Sequence, residues 1–345
     1  MSGHYLFFLN VSYSFAILRP LQEAIWRRGA KVAWFIHDLD PSLLKKNEYL
    51  LENISQVKNF NPKAVFVPGN WVPDFFPGVK VELFHGFGIE KKGHFDIRGL
   101  FDLYCTHGPL TTKPFKTLAA RHKYFAVIET GWPKIDSLFN YQPDNSGIES
   151  LKNHKPVILF APTFSPSLSS APKLMKIIKE LSLAGKYKWL VKFHPLMDEN
   201  IVKQYHGLKG PNLKIIDDPD IIPSLRAADI MLSDTSSVVV EFLLLNKPVI
   251  TFKTKKPGPY IKNIQHPDEL APALDQMLTR PKEIMKHLKK FISQMHPYND
   301  GCSSERVLAA TDRFILDYRN HLKNKPLNLW RKIQVRRRLR YYGLS

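Results

Sequence analysis

Short apolar runs, each closed by turn residues or by an amphipathic segment, recur along this 345-residue chain in two series. In the first, Tyr5–Val11, Lys31–Ile36, Ala64–Val67, Val79–Phe84, Leu103–Thr106 and Tyr124–Ile128 have the length and bulk of buried strands. Ala16–Arg28 carries Ile17, Leu18, Leu21, Ala24 and Ile25 at helical spacing, with Arg27 and Arg28 at its end. Strands that alternate with helices pair in parallel and form a sheet covered on both faces. The second series has strands over Val157–Phe160, Lys188–Phe193, Leu213–Ile216, Ile230–Leu232 and Val249–Phe252. Its helices fall near Lys173–Ala184, Glu199–Tyr205, Pro281–Met295 and Ser303–Asn324. Between the series, Asn140 to Lys155 is polar and contains Pro143 and Gly147, which suits a linker. The pattern predicts an α/β fold of two doubly wound, Rossmann-like domains facing a cleft. The boundaries are residues 1–140, a linker at 141–155, a second domain at 156–324, and a tail at 325–345.

Charge narrows the partners. Fifty Lys plus Arg against 31 Asp plus Glu give a formal charge of +19, while 44% hydrophobic residues exclude wholesale disorder. His321 to Ser345 holds eight Lys or Arg and no acid, so 42 basic against 31 acidic residues leave +11 on the rest. An anionic partner is implied: nucleic acid, an acidic membrane surface or a phosphorylated substrate. Cys105 and Cys302 lie far apart in no metal-ligand spacing, which excludes a disulfide framework and suggests a reducing compartment. The most apolar stretch, Val238 to Phe252, is broken by Glu241, Asn246, Lys247 and Pro248, so no spanning helix is expected. Tyr5–Leu18 lacks the positive flank of a signal peptide and reads as a strand running into a helix.

In doubly wound sheets, ligands bind beyond the carboxyl ends of strands. Five clusters fall at strand ends or helix starts. His85-Gly86-Phe87-Gly88, followed by Lys91, Lys92 and Gly93, combines a histidine with cations and with glycines able to take positive φ. Phe160-Ala161-Pro162-Thr163 places a hydroxyl where it either caps a helix or donates to phosphate. In Lys192-Phe193-His194-Pro195, the proline biases His194 to extended geometry, and a histidine there suits acid/base work or phosphate binding. Asp234-Thr235-Ser236-Ser237 precedes a helix-like run containing Glu241; helix-start N–H groups and hydroxyls bind anions, although a plain N-cap looks the same in sequence. Asp300-Gly301-Cys302-Ser303-Ser304-Glu305-Arg306 opens the last long helix, as an anion site or as a capped, solvated terminus. His107 also follows a strand, but with no supporting motif it reads as structural. Zinc spacing, GxSxG and GxxxxGK[ST] are absent.

The order of these motifs resembles the CDP-glycerol:poly(glycerophosphate) glycerophosphotransferases, which build teichoic acids and related capsular polymers. The resemblance rests on His85-Gly86 with Lys91, Lys92 and Gly93; Phe160–Thr163; Phe193–Pro195; Asp234–Ser237 with Glu241; and Asp300-Gly301 with Ser304 and Arg306. It implies a glycosyltransferase-B-like fold and transfer of glycerol phosphate from CDP-glycerol to an acceptor hydroxyl, with release of CMP. It implies no metal and no cofactor beyond the CDP-activated polyol donor. His85 and His194 become the catalytic candidates, His85 as general base and His194 as a protonated group against the donor phosphates. Gly86, Thr163, Asp234, Ser236, Ser237, Glu241, Asp300, Gly301, Ser304 and Arg306 become the donor- and phosphate-binding set.

The tail interleaves Trp330, Ile333, Val335 and Leu339 with Arg331, Lys332, Arg336, Arg337, Arg338 and Arg340. Trp330, Arg331, Arg336, Arg337 and Arg338 are expected to meet an anionic membrane surface, which places a lipid-linked polymer acceptor and the protein at the cytoplasmic face as a peripheral protein. Two rival readings remain. One is another nucleotide-sugar transferase or epimerase of the same plan. The other is a nucleic-acid-binding protein, which explains the arginines but not the five clusters, so no nucleic acid is expected.

Overall fold

The computed structural model describes residues 3–88, 93–142, 155–208 and 210–343. The chain divides into two compact units, one of Met1–Asn140 with Gln294–Ser345, the other of Tyr141–Ser293.

The first unit begins β1 (His4–Leu9), α1 (Phe15–Arg27), β2 (Lys31–Ile36), α2 (Ile54–Phe60), β3 (Ala64–Val67), β4 (Val79–Glu82). It continues with β5 (Leu103–Thr106), α3 (Pro109–His122), β6 (Ala126–Glu129) and α4 (Pro133–Phe139). All neighbours pair in parallel, in the order β2-β1-β3-β4-β5-β6. Tyr5 through Leu9 are all buried, as a strand covered on both faces requires. Ile17, Leu18, Leu21, Ala24 and Ile25 form the buried stripe of α1. The core beneath is aromatic, with Phe8, Phe35, Phe76, Phe101, Tyr104, Phe115 and Phe125 packed together. Each such side chain contributes roughly 2 kcal/mol by leaving water.

The second unit runs β7 (Val157–Phe160), α5 (Ala171–Ala184), β8 (Lys188–Val191), α6 (Glu199–His206), β9 (Leu213–Ile215), α7 (Ile222–Ala227) and β10 (Ile230–Ser233). After these come α8 (Val238–Leu244), β11 (Val249–Phe252), β12 (Lys262–Ile264), α9 (Leu270–Leu278) and α10 (Lys282–Met295). Its parallel sheet has the order β12-β11-β10-β7-β8-β9. The direction of winding therefore reverses between β7 and β10, and in the first sheet between β1 and β3. Crevices in doubly wound sheets open at these reversals. Ile158, Phe160, Leu174, Ile178, Trp189, Leu232 and Ile250 anchor this second core.

Two boundaries differ from the sequence expectation. Residues after Ser293 return to the first unit: α11 (Ser303–Arg313) packs on α1 and α4. Its acids bind the first unit's cations, with Asp312 at 3.0 Å from Arg28 and 2.9 Å from Lys63, and Glu305 paired with Arg27. A helical pattern shows which face is buried, not what it is buried against. The tail is likewise no separate segment. Its α12 (Leu329–Arg338) sets Val335 into the first core, with Leu339 packed beside it. Arg336 pairs with Asp74 at 3.3 Å, Lys325 with Asp102 at 2.6 Å, and Lys58 donates to the Tyr341 hydroxyl at 2.6 Å. Of the expected linker, residues 143–154 lie outside the described residues.

Candidate functional site

In the second unit the strand ends of β7, β8 and β10, neighbours in the sheet, bring three of the clusters together. Asp234, just past β10, is buried and organises them. Its Oδ1 accepts from the Thr163 N–H at 2.9 Å, and its Oδ2 accepts from the Ser170 N–H at 2.9 Å and hydroxyl at 2.8 Å. Ser233 donates to the Ala161 carbonyl at 2.6 Å, which ties the same two strand ends. Asp234 was expected to contact phosphate. Its carboxylate instead holds the loop after β7, as a buried carboxylate surrounded by donors should. Thr163 and Ser236 stay half-buried and Ser237 exposed, with no side-chain cap from Ser237 onto α8. Glu241 is buried on α8.

His194 extends from the end of β8. Its ring stacks on Phe164, 4.5 Å between centroids. Nδ1 accepts the Leu196 N–H at 3.1 Å, which leaves the neutral ring carrying its proton on Nε2. Desolvation, with Lys192 adding to it, lowers the pKa below its ordinary value. A protonated His194 is therefore not the resting state; the ring offers a neutral Nε2–H donor.

In the first unit, His85 follows β4 and is exposed. Of the cluster's glycines, Gly93 takes the expected positive φ, at +84°, while in the turn before His85 the strain falls on Phe84, a buried residue at φ +58°. Gly86 is not at positive φ, and a Cβ built on it would meet nothing within 4 Å. Positive φ in a bulky residue costs energy, and such strain gathers at functional sites. It is held by packing of Phe84 on Tyr104, His107 and Phe115, and by Trp132 Nε1, which donates to the Phe84 carbonyl at 3.2 Å. On this turn the His85 ring lies 6.2 Å from that of Tyr13. His107 is wholly buried beside Phe87 and Trp132, and burial takes its pKa well below the ordinary value, in keeping with a structural role. Lys91 and Lys92 lie outside the described residues.

His85 borders a cavity of about 400 Å³ at the carboxyl ends of β1 and β3, lined also by Asn10, Tyr13, Asn70, Trp71, Arg98, Arg331 and Arg338. Sequence reasoning missed Asn10, Asn70 and Arg98. The strand-end rule would have found the first two, which follow β1 and β3; nothing local marks Arg98. Arg331, Arg336 and Arg338 were expected at a membrane. Arg331 instead donates to the Arg98 carbonyl at 3.1 Å, Arg336 pairs with Asp74, and Arg338 lies over Trp71, 5.5 Å from the ring centroid. Trp330, Ile333 and Arg337 remain exposed on the opposite face of α12.

The fifth cluster belongs to the first unit, not to the donor-side domain. Asp136 of α4 accepts the Ser303 and Ser304 N–H groups at 2.8 and 2.7 Å, so the start of α11 already holds a carboxylate. Ser304 is buried there. Arg306 grips Asp300 with two bonds at 2.8 and 3.0 Å, donates through Nε to the Thr130 carbonyl at 2.8 Å, and lies 3.9 Å over the Tyr298 ring. Gly301 sits at φ +64° against Asn140, which donates to its carbonyl at 2.8 Å. In this cluster Arg306 is thus engaged in closing the first unit, and the Ser304 hydroxyl is buried without a hydrogen-bond partner among the described residues. No local pattern marks Asp136 for this place. Among the described residues no cluster of three or more His, Cys, Asp or Glu is placed to hold a metal ion. No helix among them is long and apolar enough to cross a membrane.

A family model described as CDP-Glycerol:Poly(glycerophosphate) glycerophosphotransferase matches residues 102–311, a span that takes in Thr163, His194, Asp234 and Arg306 and begins after His85. The chain is 28% identical over 253 residues to a teichoic acid glycerol-phosphate primase of Bacillus spizizenii, covering 66% of this chain and 65% of that protein. It is 30% identical over 308 residues to a teichoic acid poly(ribitol-phosphate) polymerase of the same organism, covering 77% of this chain and 49% of that protein. It therefore spans less than two thirds of the length of either relative. Among solved structures, the wall teichoic acid polymerase TagF superposes with a TM-score of 0.65, covering 92% of this chain and 90% of that one at 16% identity, a likeness of fold.

Proposed function

The chain belongs to the CDP-glycerol:poly(glycerophosphate) glycerophosphotransferase family, and from that premise we propose that it transfers a polyol-phosphate unit from a CDP-activated polyol to an acceptor hydroxyl in teichoic acid or related capsular polymer assembly. The observation that carries this reading is the reversal point of the second sheet. Thr163, Ser236 and Ser237 stand there with free hydroxyl chemistry, on loops pinned by Asp234, beside the neutral Nε2–H donor of His194. Such a set suits a diphosphate, whose charge must be met by preorganised donors during transfer.

In the reaction, the acceptor oxygen bonds to the β-phosphorus as the bond to the CMP oxygen breaks. His85 takes the hydroxyl proton, and CMP leaves with the electron pair, stabilised by the His194 donor. The acceptor is a lipid-linked polymer at the cytoplasmic membrane face, where Trp330, Ile333 and Arg337 meet anionic lipid. Glycerol and ribitol names among the relatives leave the polyol as the quantity to measure. Purified protein is mixed with CDP-glycerol or CDP-ribitol and a polyol-phosphate oligomer, and CMP release is followed. His194→Gln and His85→Ala should each lower kcat by about 100-fold or more. Near-normal transfer by His85→Ala removes it as the base, and no CMP from either donor rejects the reading.

A further inference from the structure

The cavity beside His85 has a feature that the donor-side chemistry does not use. Its lining presents three guanidinium groups, Arg98, Arg331 and Arg338, and among the described residues no carboxylate. We propose that this crevice is a phosphodiester-binding site of the first unit, roofed by α12, that holds the polyol-phosphate chain of the acceptor. The assignment of the diester to an acceptor rests on the transferase reading above.

Four observations carry it. The crevice opens between β1 and β3, where the winding of the first sheet reverses, the place at which such sheets take ligands. The cations are held in place. Arg98 donates to Asn70 Oδ1 at 3.0 Å, Arg331 donates to the Arg98 carbonyl at 3.1 Å, and Arg338 rests on Trp71. A guanidinium has five N–H donors, so each retains several for an oxyanion. Arg331, Val335 and Arg338 share one face of α12 at i, i+4 and i+7, and burial of Val335 in the core fixes that face toward the crevice. Finally, three like charges around about 400 Å³ repel one another until an anion enters. Nearby Glu82 gives little relief: burial pushes its carboxyl up to about 8, so it is mostly neutral at pH 7. Three cations exceed the single charge of one diester, which suits two or more consecutive units of a chain. His85 on the rim then lies beside the hydroxyl that ends it.

The test is titration calorimetry of the full chain with a short synthetic oligo(glycerol phosphate), without lipid. Arg331→Gln and Arg338→Gln should each weaken binding about ten-fold or more, as loss of a charge-assisted contact does. Arg340→Gln, an exposed residue just past α12, makes the same charge change and should alter binding less than about two-fold. CDP-glycerol affinity should be unchanged in all three. Equal losses in the crevice variants and in Arg340→Gln would overturn the site. So would an oligonucleotide of matched charge that binds as tightly and is lost in the same variants. If Arg338→Gln disturbs folding, exposed Arg331 carries the test. Oligomer binding without CMP release leaves the site standing and rejects the transferase reading. CMP release with an unchanged acceptor KM in the crevice variants does the reverse.

Discussion

Replacing Glu82 by Gln tests the electrostatics beneath that crevice. Glu82 ends β4 and is buried; desolvation pushes its carboxyl up to about 8, against the pull of Arg98. A raised folded pKa means that the folded state keeps a proton which the unfolded chain releases above about 4.5. Stability from this group is therefore complete below the unfolded pKa and is lost as pH rises toward the folded one. Integrated between pH 5 and pH 7, the loss is roughly 2–3 kcal/mol. Glu82→Gln keeps the shape and removes the titration. Its stability relative to the parent should rise by that amount across the interval, while other titrating groups cancel in the difference. Hydrogen exchange of β4 and β5 amides across a urea series reads the first unit alone at each pH. A difference that stays constant within about 0.5 kcal/mol from pH 5 to 7 would refute the argument.

Three further outcomes follow from the packing. Asp234→Ala leaves the Thr163 N–H and both Ser170 donors without their acceptor, and should cost about 3 kcal/mol by urea unfolding together with most of the CDP-donor affinity. Arg306→Lys loses the two-point grip on Asp300 and the stacking on Tyr298; a stability loss of about 1–3 kcal/mol is expected, read as a lowered Tm. Trp330→Glu with Ile333→Glu changes two exposed side chains, so Tm and transfer to a soluble acceptor should hold. Co-sedimentation with anionic vesicles should fall about ten-fold or more, and unchanged sedimentation would detach α12 from any membrane role.

The sequence made the sheets legible because apolar runs bounded by turn residues report burial on both faces. Lys31–Ile36, Ala64–Val67, Leu103–Thr106 and Val249–Phe252 coincide with strands. The short β12 was missed: Lys262–Ile264 has three residues and no apolar run. The places of Thr163 and His194 just past strand ends were legible, because each follows an apolar run of strand length. Roles were less so. Asp234 and Arg306 read as ligand contacts because sequence shows their chemistry but not the backbone groups that already satisfy it. The tail misled for a similar reason. Its arginines look alike in a row, yet successive helix positions point about 100° apart, which puts Arg338 on the crevice, Arg337 in solvent and half-buried Arg336 against Asp74.

The return of residues 294–343 to the first unit also fixes an order of events during synthesis. All of β1 to β6 is made early, but α11 and the Val335 that completes the first core are made only after the whole second unit. The second unit is continuous and can close as it emerges, whereas the first must wait with part of its aromatic core uncovered. Contacts such as Arg28 with Asp312 join residues nearly the full chain apart, so they form late and slowly. A chain stopped after residue 293 would hold one finished sheet domain and one that remains open, sticky and dependent on chaperones.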